Sequence, residues 1–230
     1  MSCLRLCRTV KGVARCGEVR LGSVRYGMAR RILTEGEKME IRNFQVSLTG
    51  TMPISFNNPN AIPSKKNKIK DYEQWEEDHW MERLYRNADG KVILPNAAIK
   101  KCAMQVCSLL DIKPPVGMLK SYGPLIDDCW HIDGEGSPIE FEDNQLVQWR
   151  AQVNPNPNSR KSGVGSLRIR PQINPVWKTA FTLRTIHDCF YKKIVEDILA
   201  DAFLLKGVGE GRKIRGFGRA TVTVLELDAG

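Results

Sequence analysis

The alternation of apolar and polar positions predicts most of the strands of this chain. Phe44, Val46 and Leu48 alternate with polar neighbours, which is the period of a strand with one buried face. The same period recurs at residues 147–153, 166–173, 177–183 and 220–227. The strands at 147–153 and 166–173 are separated by the Pro-, Asn- and Gly-rich stretch NPNPNSRKSGVG, so the sequence predicts a long hairpin.

Apolar residues at helical spacing predict two amphipathic helices. In AAIKKCAMQVCSLL one face carries Ile99, Cys102, Ala103, Val106 and Leu110. In FYKKIVEDILADAFLLK the face is Phe190, Ile194, Ile198, Ala202 and Leu205. Asn96 is the expected N-cap of the first helix, and Gly207 is the expected end of the second. A third helix is predicted in DYEQWEEDHWMERLYR, with Asp71 as its cap.

The order strand, helix, strand, strand, helix, strand is that of a split βαβ unit. The sequence therefore predicts an α+β, ferredoxin-like (RRM-type) βαββαβ palm. Insertions are expected at about 55–90 and 112–172, the second including the hairpin as a thumb. Residues 112–145 show no pattern that assigns an element.

The net charge of +9 is unevenly distributed along the chain. Residues 1–38 carry nine Lys and Arg against three Asp and Glu, and so contribute +6 to the net charge of +9. This segment is compatible with a translated upstream region before a start at Met39, with a flexible basic tail, or with an ordered element. We expect a single domain over 39–230, in which function depends on local patches of charge.

The cysteines and apolar runs bear on compartment and cofactors. The seven cysteines include no CxxC pair, which favours reduced thiols in a cytoplasmic protein without a metal or other cofactor. No apolar run reaches the ~18 residues of a membrane span, so no membrane partner is expected.

The stretch GVGEGRKIRGFGRATV, residues 207–222, is the strongest candidate for a binding site. Glycines let backbone N–H groups approach an anion, and arginines bind phosphate through two parallel hydrogen bonds. The alternative is a helix C-cap followed by a solvated basic turn. The stretch is neither a Walker loop nor a Rossmann loop, because it lacks Gly-Lys-Ser/Thr and precedes a strand.

Further cations and aromatic residues extend this candidate surface. Arg168 and Arg170 share one face of the predicted hairpin, whose tip carries Arg160 and Lys161, although an ordinary solvated sheet face is the alternative. The other cationic candidates are Arg150, Lys100, Lys101, Lys65, Lys66 and Lys68. The candidate platforms for base stacking are Trp75, Trp80, Trp130, Trp149 and Phe217.

Metal-free catalysis would need a general base, and histidine is the usual one. The histidines are His79, His131 and His187, and Asp71 or Asp89 is an acidic alternative. Neither a Ser/His/Asp arrangement nor a metal-ligand spacing is evident, so the expected function is binding rather than catalysis.

Three stretches of the sequence resemble the RAMP superfamily of CRISPR-associated RNA-binding proteins. They are FQVSLTGTMPI, RNADGKVILPNAAIKK and the glycine loop, within about 40–228. The resemblance is greatest to the backbone (Cas-seven-type) subunit, although the 192 residues from Met39 onward are few for that group. It implies a protein that coats guide RNA in repeated copies, with other effector subunits and target DNA or RNA as partners. The alternatives are a RAMP endoribonuclease and a phage or plasmid protein that coats single-stranded nucleic acid. The implied RNA contacts are Gly209, Gly211, Arg212, Lys213, Arg215, Gly216, Phe217, Gly218, Arg219, Arg150, Arg160, Lys161, Arg168, Arg170, Lys100 and Lys101.

Overall fold

The computed structural model describes residues 41–61, 71–114, 121–153, 166–210 and 216–227, all within the unit Glu40–Gly230. The strands in these ranges are β1 (Arg42–Gly50), β2 (Ile54–Ser55), β3 (Ile93–Pro95), β4 (Trp130–Ile132), β5 (Gly136–Glu140), β6 (Leu146–Val153), β7 (Ser166–Ile173), β8 (Lys178–Thr185) and β9 (Ala220–Leu227). The α-helices are α1 (Tyr72–Asp78), α2 (Asn96–Leu109), α3 (Gly123–Cys129) and α4 (Lys192–Asp201). The π-helical turn Ala202–Lys206 continues α4.

The larger sheet has the order β3-β5-β8-β1-β9, and β4 also pairs with β8. Strand β1 lies between β8 and β9 and is antiparallel to both. Its alternation is the predicted one, because Phe44, Val46 and Leu48 are at most 1% exposed while Ser47 is exposed. The α+β class with antiparallel sheets is thus confirmed.

Helices α2 and α4 cover the buried face of this sheet. The α2 residues Ile99, Cys102 and Val106 are fully buried, as are Val195 and Ile198 of α4. Each apolar side chain of this size contributes about 1.5–3 kcal/mol when buried, so these two faces account for a large part of the core. Cores of this kind are the usual way in which an α+β protein buries one side of its sheet.

Two predicted core positions at helix ends are wrong. Leu110 follows the last residue of α2 and is 44% exposed. Leu205 is 42% exposed and Phe203 is buried in its place. The π turn explains the second difference, because its i→i+5 hydrogen bonds rotate the following side chains away from the α-helical face.

The unassigned stretch 112–145 contains α3, β4 and β5 in its described part. Tyr122, Ile126 and Trp130 from this stretch are fully buried. It also corrects the predicted N-cap of α2, which is Pro95 rather than Asn96. The Asn96 side chain instead donates Nδ2 hydrogen bonds to the carbonyl oxygens of Ile132, Asp133 and Gly134, at 2.7–3.2 Å.

The smaller sheet has the order β2-β7-β6. Strands β6 and β7 form the predicted antiparallel hairpin, with Leu146 opposite Ile173 and Val153 opposite Ser166. Helix α1 begins at its predicted cap, since the Asp71 carboxylate accepts from the N–H groups of Glu73 and Gln74. The rest of the predicted third helix is a 3-10 turn, Trp80–Arg83. Within the described ranges, no helix is long and apolar enough to cross a membrane.

Candidate nucleic-acid interface

The glycine loop begins where the π turn ends. Gly207 has a φ of 63° and its N–H donates to the carbonyl oxygen of Ala202, so the predicted helix end is confirmed. The Cys102 thiol donates to the carbonyl oxygens of Ala202 and Gly207, at 3.2 and 3.1 Å. The first residue of the loop is therefore fixed to α2.

The described parts of the loop, 207–210 and 216–219, form two stems that lie side by side. The Val208 N–H donates to the Gly218 carbonyl oxygen at 3.2 Å, which joins the stems to each other. Glu210 and Gly218 donate their N–H groups to carbonyl oxygens of Ser55 and Pro53, at 2.8 and 2.7 Å. The first stem is thereby joined to β2 and the second to the segment between β1 and β2.

Two of the loop glycines are required by close packing of backbone on backbone. Gly218 has a φ of 70°, and a Cβ there would lie 2.6 Å from the Val208 nitrogen and overlap its carbonyl oxygen. Gly209 has a φ of 85°, and a Cβ there would overlap the Ser55 carbonyl oxygen. These glycines therefore have a structural role that is independent of any ligand.

The same contacts restrict where an anion nest could lie. The N–H groups of Val208, Glu210 and Gly218 all donate to carbonyl oxygens within the protein. Backbone donors for a phosphate would therefore have to come from elsewhere in the loop. Gly211, Arg212, Lys213 and Arg215 lie outside the described residues, so their predicted role stays a prediction.

Arg219 is the exposed cation of the second stem. A Cβ at Gly216 would lie 3.1 Å from the guanidinium carbon of Arg219, so the glycine leaves room for this side chain. The Arg219 carbonyl oxygen accepts from the N–H groups of Thr51 and Met52, at 2.9 and 3.3 Å. A fixed backbone thus carries a solvent-exposed guanidinium.

Phe217 is packed inside the protein. It is 7% exposed, and its ring meets that of Trp149 edge to face with 5.2 Å between centroids. Of the other candidate platforms, Trp130 is fully buried and Trp75 stacks on His79 at 4.9 Å. Trp80 is partly exposed. In this arrangement Phe217 joins the second stem to β6 and presents little surface to a base.

The predicted arginine face of the hairpin is covered by α1. Glu76 on this helix is 1% exposed, and its Oε1 accepts from Arg168 at 3.3 Å and from Arg170 at 2.9 Å. Its Oε2 accepts from the Ile169 N–H at 2.9 Å. Glu76 therefore binds both the side chains and the backbone of β7.

A third arginine completes this buried cluster. Arg83 is 1% exposed, donates to Glu76 Oε1 at 3.1 Å and also donates to Asn57 Oδ1 at 2.9 Å. Its guanidinium carbon lies 5.3 Å from the centroid of the Trp75 ring, within the range of a cation–π interaction. The cluster therefore fixes α1 and the following 3-10 turn against the hairpin.

Arg170 connects the cluster to the glycine loop. It is 4% exposed, and its Nε donates to Glu210 Oε2 at 2.8 Å. Burial opposes its ionisation, but hydrogen bonds and charge from Glu76 and Glu210 outweigh burial and raise the pKa of its guanidinium. In the structure Arg170 is thus an internal cation rather than part of an open surface.

The remaining described cations lie on other elements. Arg150 on β6 is half exposed and forms an ion pair with Glu77 of α1. Lys100 donates to the Asp127 carbonyl oxygen of α3 at 2.7 Å, and Lys101 is exposed. The turn that Asn96 binds lies at the start of α2 and includes Asp133 and Glu135. The negative charges of these two residues make the start of α2 unfavourable for a phosphate. Arg160, Lys161 and Lys65, Lys66 and Lys68 lie outside the described residues.

Sequence reasoning missed Glu76 and Glu210, the acids that organise this region. A signal was present, because the Glu76-Glu77 pair on a short acidic helix faces Arg150, Arg168 and Arg170 on a basic hairpin. The spacing of opposite charges along one chain does not identify which of them meet in space. That information came only with the register of β6 and β7.

The candidate catalytic side chains have structural contacts. His79 Nδ1 donates to the Trp75 carbonyl oxygen at 2.9 Å, and His187 Nδ1 accepts from the Cys189 N–H at 3.2 Å. His131 on β4 is exposed opposite Arg184. Asp71 is a helix cap, and Asp89 accepts from Asn87. Among the described residues, no three His, Cys, Asp or Glu are grouped so that they could hold a metal ion.

One solved structure supports the resemblance at the level of fold. One chain of "Cryo-EM structure of the Type III-B Cmr-beta bound to cognate target RNA" has a TM-score of 0.52 at 12% identity. The alignment covers 94% of this chain and 70% of that one. The crystal structure of Cmr6 from Pyrococcus furiosus has a TM-score of 0.38 at 11% identity, covering 82% and 98%, and nothing below depends on it. No protein-family model and no curated protein matches the chain.

Proposed function

We propose that the chain is an RNA-binding RAMP-type subunit of a CRISPR effector ribonucleoprotein. The fold shared with a chain of the Type III-B Cmr-beta structure supports this proposal. Within it, β1, α2, β4–β5, β8, α4 and β9 would be the βαββαβ palm, and the sheet order β5-β8-β1-β9 suits that topology. The β6–β7 hairpin, which belongs to the other sheet, would be the thumb.

The observation that carries the proposal is the arrangement of the glycine-loop stems. The first stem is hydrogen-bonded to Ser55 of β2, the second stem to the segment before β2, and Arg219 is exposed on the second stem. Arg212, Lys213 and Arg215 lie in sequence between these two fixed ends. A short cationic segment held at both ends loses little conformational entropy when it binds a phosphate backbone.

The finer role that we propose is that of a backbone subunit. Repeated copies would coat guide RNA, reading its phosphate backbone rather than its base sequence. Neighbouring copies, other effector subunits and target nucleic acid would be the partners. A RAMP endoribonuclease and a coat protein for single-stranded DNA remain the competing functions, and the binding experiment distinguishes them.

The experiment measures binding of the full-length chain to labelled single-stranded RNA and DNA at two salt concentrations. We expect RNA shifts that grow with RNA length and weaken with salt, without cut products. Arg215→Ala with Arg219→Ala removes two candidate phosphate contacts. Binding releases about 0.7 counterions per phosphate contact. Losing two contacts should therefore make the negative slope of log K against log salt shallower by about 1.4.

The matched control is Arg184→Ala with Lys192→Ala, which removes the same charge from two exposed cations. In the larger sheet, Arg184 lies opposite Asn43, near the start of β1. The second stem leads into Ala220, which lies opposite Gly50 at the end of β1, seven residues further along the strand. We expect this control to change the slope much less. Equal slopes for the two double variants would exclude the loop from the binding surface.

The competing functions have their own outcomes. Discrete products that disappear in His187→Ala would favour the endoribonuclease. Equal or tighter binding of DNA would favour the single-strand coat protein. A wild-type chain that binds neither nucleic acid at low salt would contradict all three functions.

A further inference from the structure

Two residues of the hairpin contact the two stems of the glycine loop. Trp149 on β6 and Arg170 on β7 are directly opposite each other in the register of the hairpin. Directly opposed side chains in an antiparallel pair project from the same face of the sheet. The Arg170 guanidinium binds Glu210 on the first stem, and the Trp149 ring packs on Phe217 of the second.

Arg170 of this cross-strand pair is also bound by helix α1. Arg170 Nη1 donates to Glu76, which is almost fully buried and also binds the β7 backbone. Its Nε remains directed at Glu210, so one planar guanidinium joins α1 to the loop. A guanidinium fixed at two of its donors has little freedom to follow a mobile partner, so the position of Glu210 is set by the hairpin.

We infer that Trp149 and Arg170 are positioning residues, which hold the glycine loop by its two ends in the arrangement that binds RNA. The inference rests on the proposed function, because it assumes that the loop contacts RNA. It reassigns Arg170 from a direct phosphate contact to a residue that acts through Glu210. This part of the hairpin then supports the glycine loop and is not itself an RNA-binding surface.

Glu210→Gln separates this inference from simple electrostatics. Removing a carboxylate beside a cationic loop should tighten RNA binding if only charge matters. If Glu210 holds the loop, the same change reduces the fraction of molecules with the loop in its binding position. The apparent affinity is the intrinsic affinity multiplied by that fraction. A protein whose loop is in place one-fifth of the time therefore binds RNA about fivefold more weakly.

The control is Glu226→Gln, which removes the same charge from an exposed position on β9. We expect Glu226→Gln to bind RNA as tightly as wild type or slightly more tightly, and Glu210→Gln to bind about fivefold more weakly. Because Arg170 keeps its ion pair with Glu76 in Glu210→Gln, both variants should remain folded, which thermal unfolding checks. A Glu210→Gln variant that binds as tightly as Glu226→Gln overturns the inference.

A second measurement does not depend on RNA. Trypsin cleaves after Lys and Arg, so mass spectrometry can follow the cleavage of the full-length protein after Arg212, Lys213 and Arg215. We expect faster cleavage there in Glu210→Gln than in Glu226→Gln or wild type. Equal cleavage rates would show that Glu210 does not hold the loop, which also overturns the inference.

The two measurements distinguish failure of the inference from failure of the proposed function. If Arg215→Ala with Arg219→Ala leaves RNA binding unchanged, the loop is not the RNA site and the RNA part of the inference is overturned with it. Cleavage then decides alone whether the hairpin holds the loop. If that double variant weakens binding and Glu210→Gln does not, the proposed function stands and only the inference is overturned.

Discussion

Glu76 is a single carboxylate surrounded by the guanidinium groups of Arg83, Arg168 and Arg170. A charge buried this completely is retained only when paired and hydrogen-bonded, and Glu76 accepts three side-chain hydrogen bonds and one from the backbone. At the scale of the residue, the sequence predicted that Arg168 and Arg170 share a face but not what that face contacts.

We predict that Glu76→Gln strongly destabilises the protein. The substitution removes the carboxylate charge that Arg83, Arg168 and Arg170 share, and breaking a buried ion pair from one side typically costs on the order of 3–5 kcal/mol. Glu77→Gln is the matched control, because Glu77 is about half exposed and pairs with Arg150 at the surface, where ion pairs contribute about 0–1 kcal/mol. Urea denaturation measures both, and similar midpoints for the two variants would contradict the prediction.

Most of the elements that the sequence predicted are long enough to show a period. Strands β1, β6, β7, β8 and β9 each have at least eight residues, and helices α2 and α4 at least ten. Strands β3 and β4 have three residues each and α3 has seven, which is too short for a reliable pattern. Helix α1 also has seven residues, but its cap Asp71 marked its start in the sequence. The π turn after α4 has no apolar signature of its own, so the exposure of Leu205 could not be predicted.

At the scale of the loop, we predict that Gly218→Ala costs more stability than Gly134→Ala. Both glycines have positive φ, 70° and 76°, so both alanine variants carry the left-handed strain of roughly 1–2 kcal/mol. A Cβ at Gly134 meets nothing within 4 Å, whereas one at Gly218 overlaps the Val208 backbone. The difference between the two free energies of unfolding therefore measures the packing of the stems. Equal losses would show that the stems move apart without cost.

At the scale of the whole molecule, the sequence predicted the α+β class but not the division into two sheets. Periodicity shows which face of a strand is buried and says nothing of which strand is its neighbour. The hairpin shows this limit, because its two strands were predicted correctly while the pairing of β7 with β2 was not. That pairing is made by backbone groups, such as the Phe56 N–H that donates to the Pro171 carbonyl oxygen, and any residue type supplies the N–H and carbonyl groups of such bonds except proline, which has no N–H.

We predict that the folded protein loses stability in alkaline solution. Burial raises the pKa of the Cys107 and Cys189 thiols from 9.0 to about 12, and that of the Tyr122 hydroxyl from 10.0 to about 12. Above about pH 9 the unfolded chain releases these protons while the folded chain keeps them, so the free energy of unfolding falls as the pH rises towards 12. Urea unfolding at pH 8 and pH 10.5 tests this prediction. A midpoint that is unchanged or higher at pH 10.5 would contradict it.

The central position of β1 in the larger sheet has a consequence for synthesis. Both neighbours of β1 come from the other end of the chain, since β8 begins at Lys178 and β9 ends at Leu227. At 5–20 residues per second, a ribosome needs roughly 6–25 seconds to make the residues between β1 and β8. During that time the apolar face of β1 has neither of its sheet neighbours, and the nascent chain is open to association with other exposed strands. The order of translation therefore makes this protein dependent on its last fifty residues for the burial of its first strand.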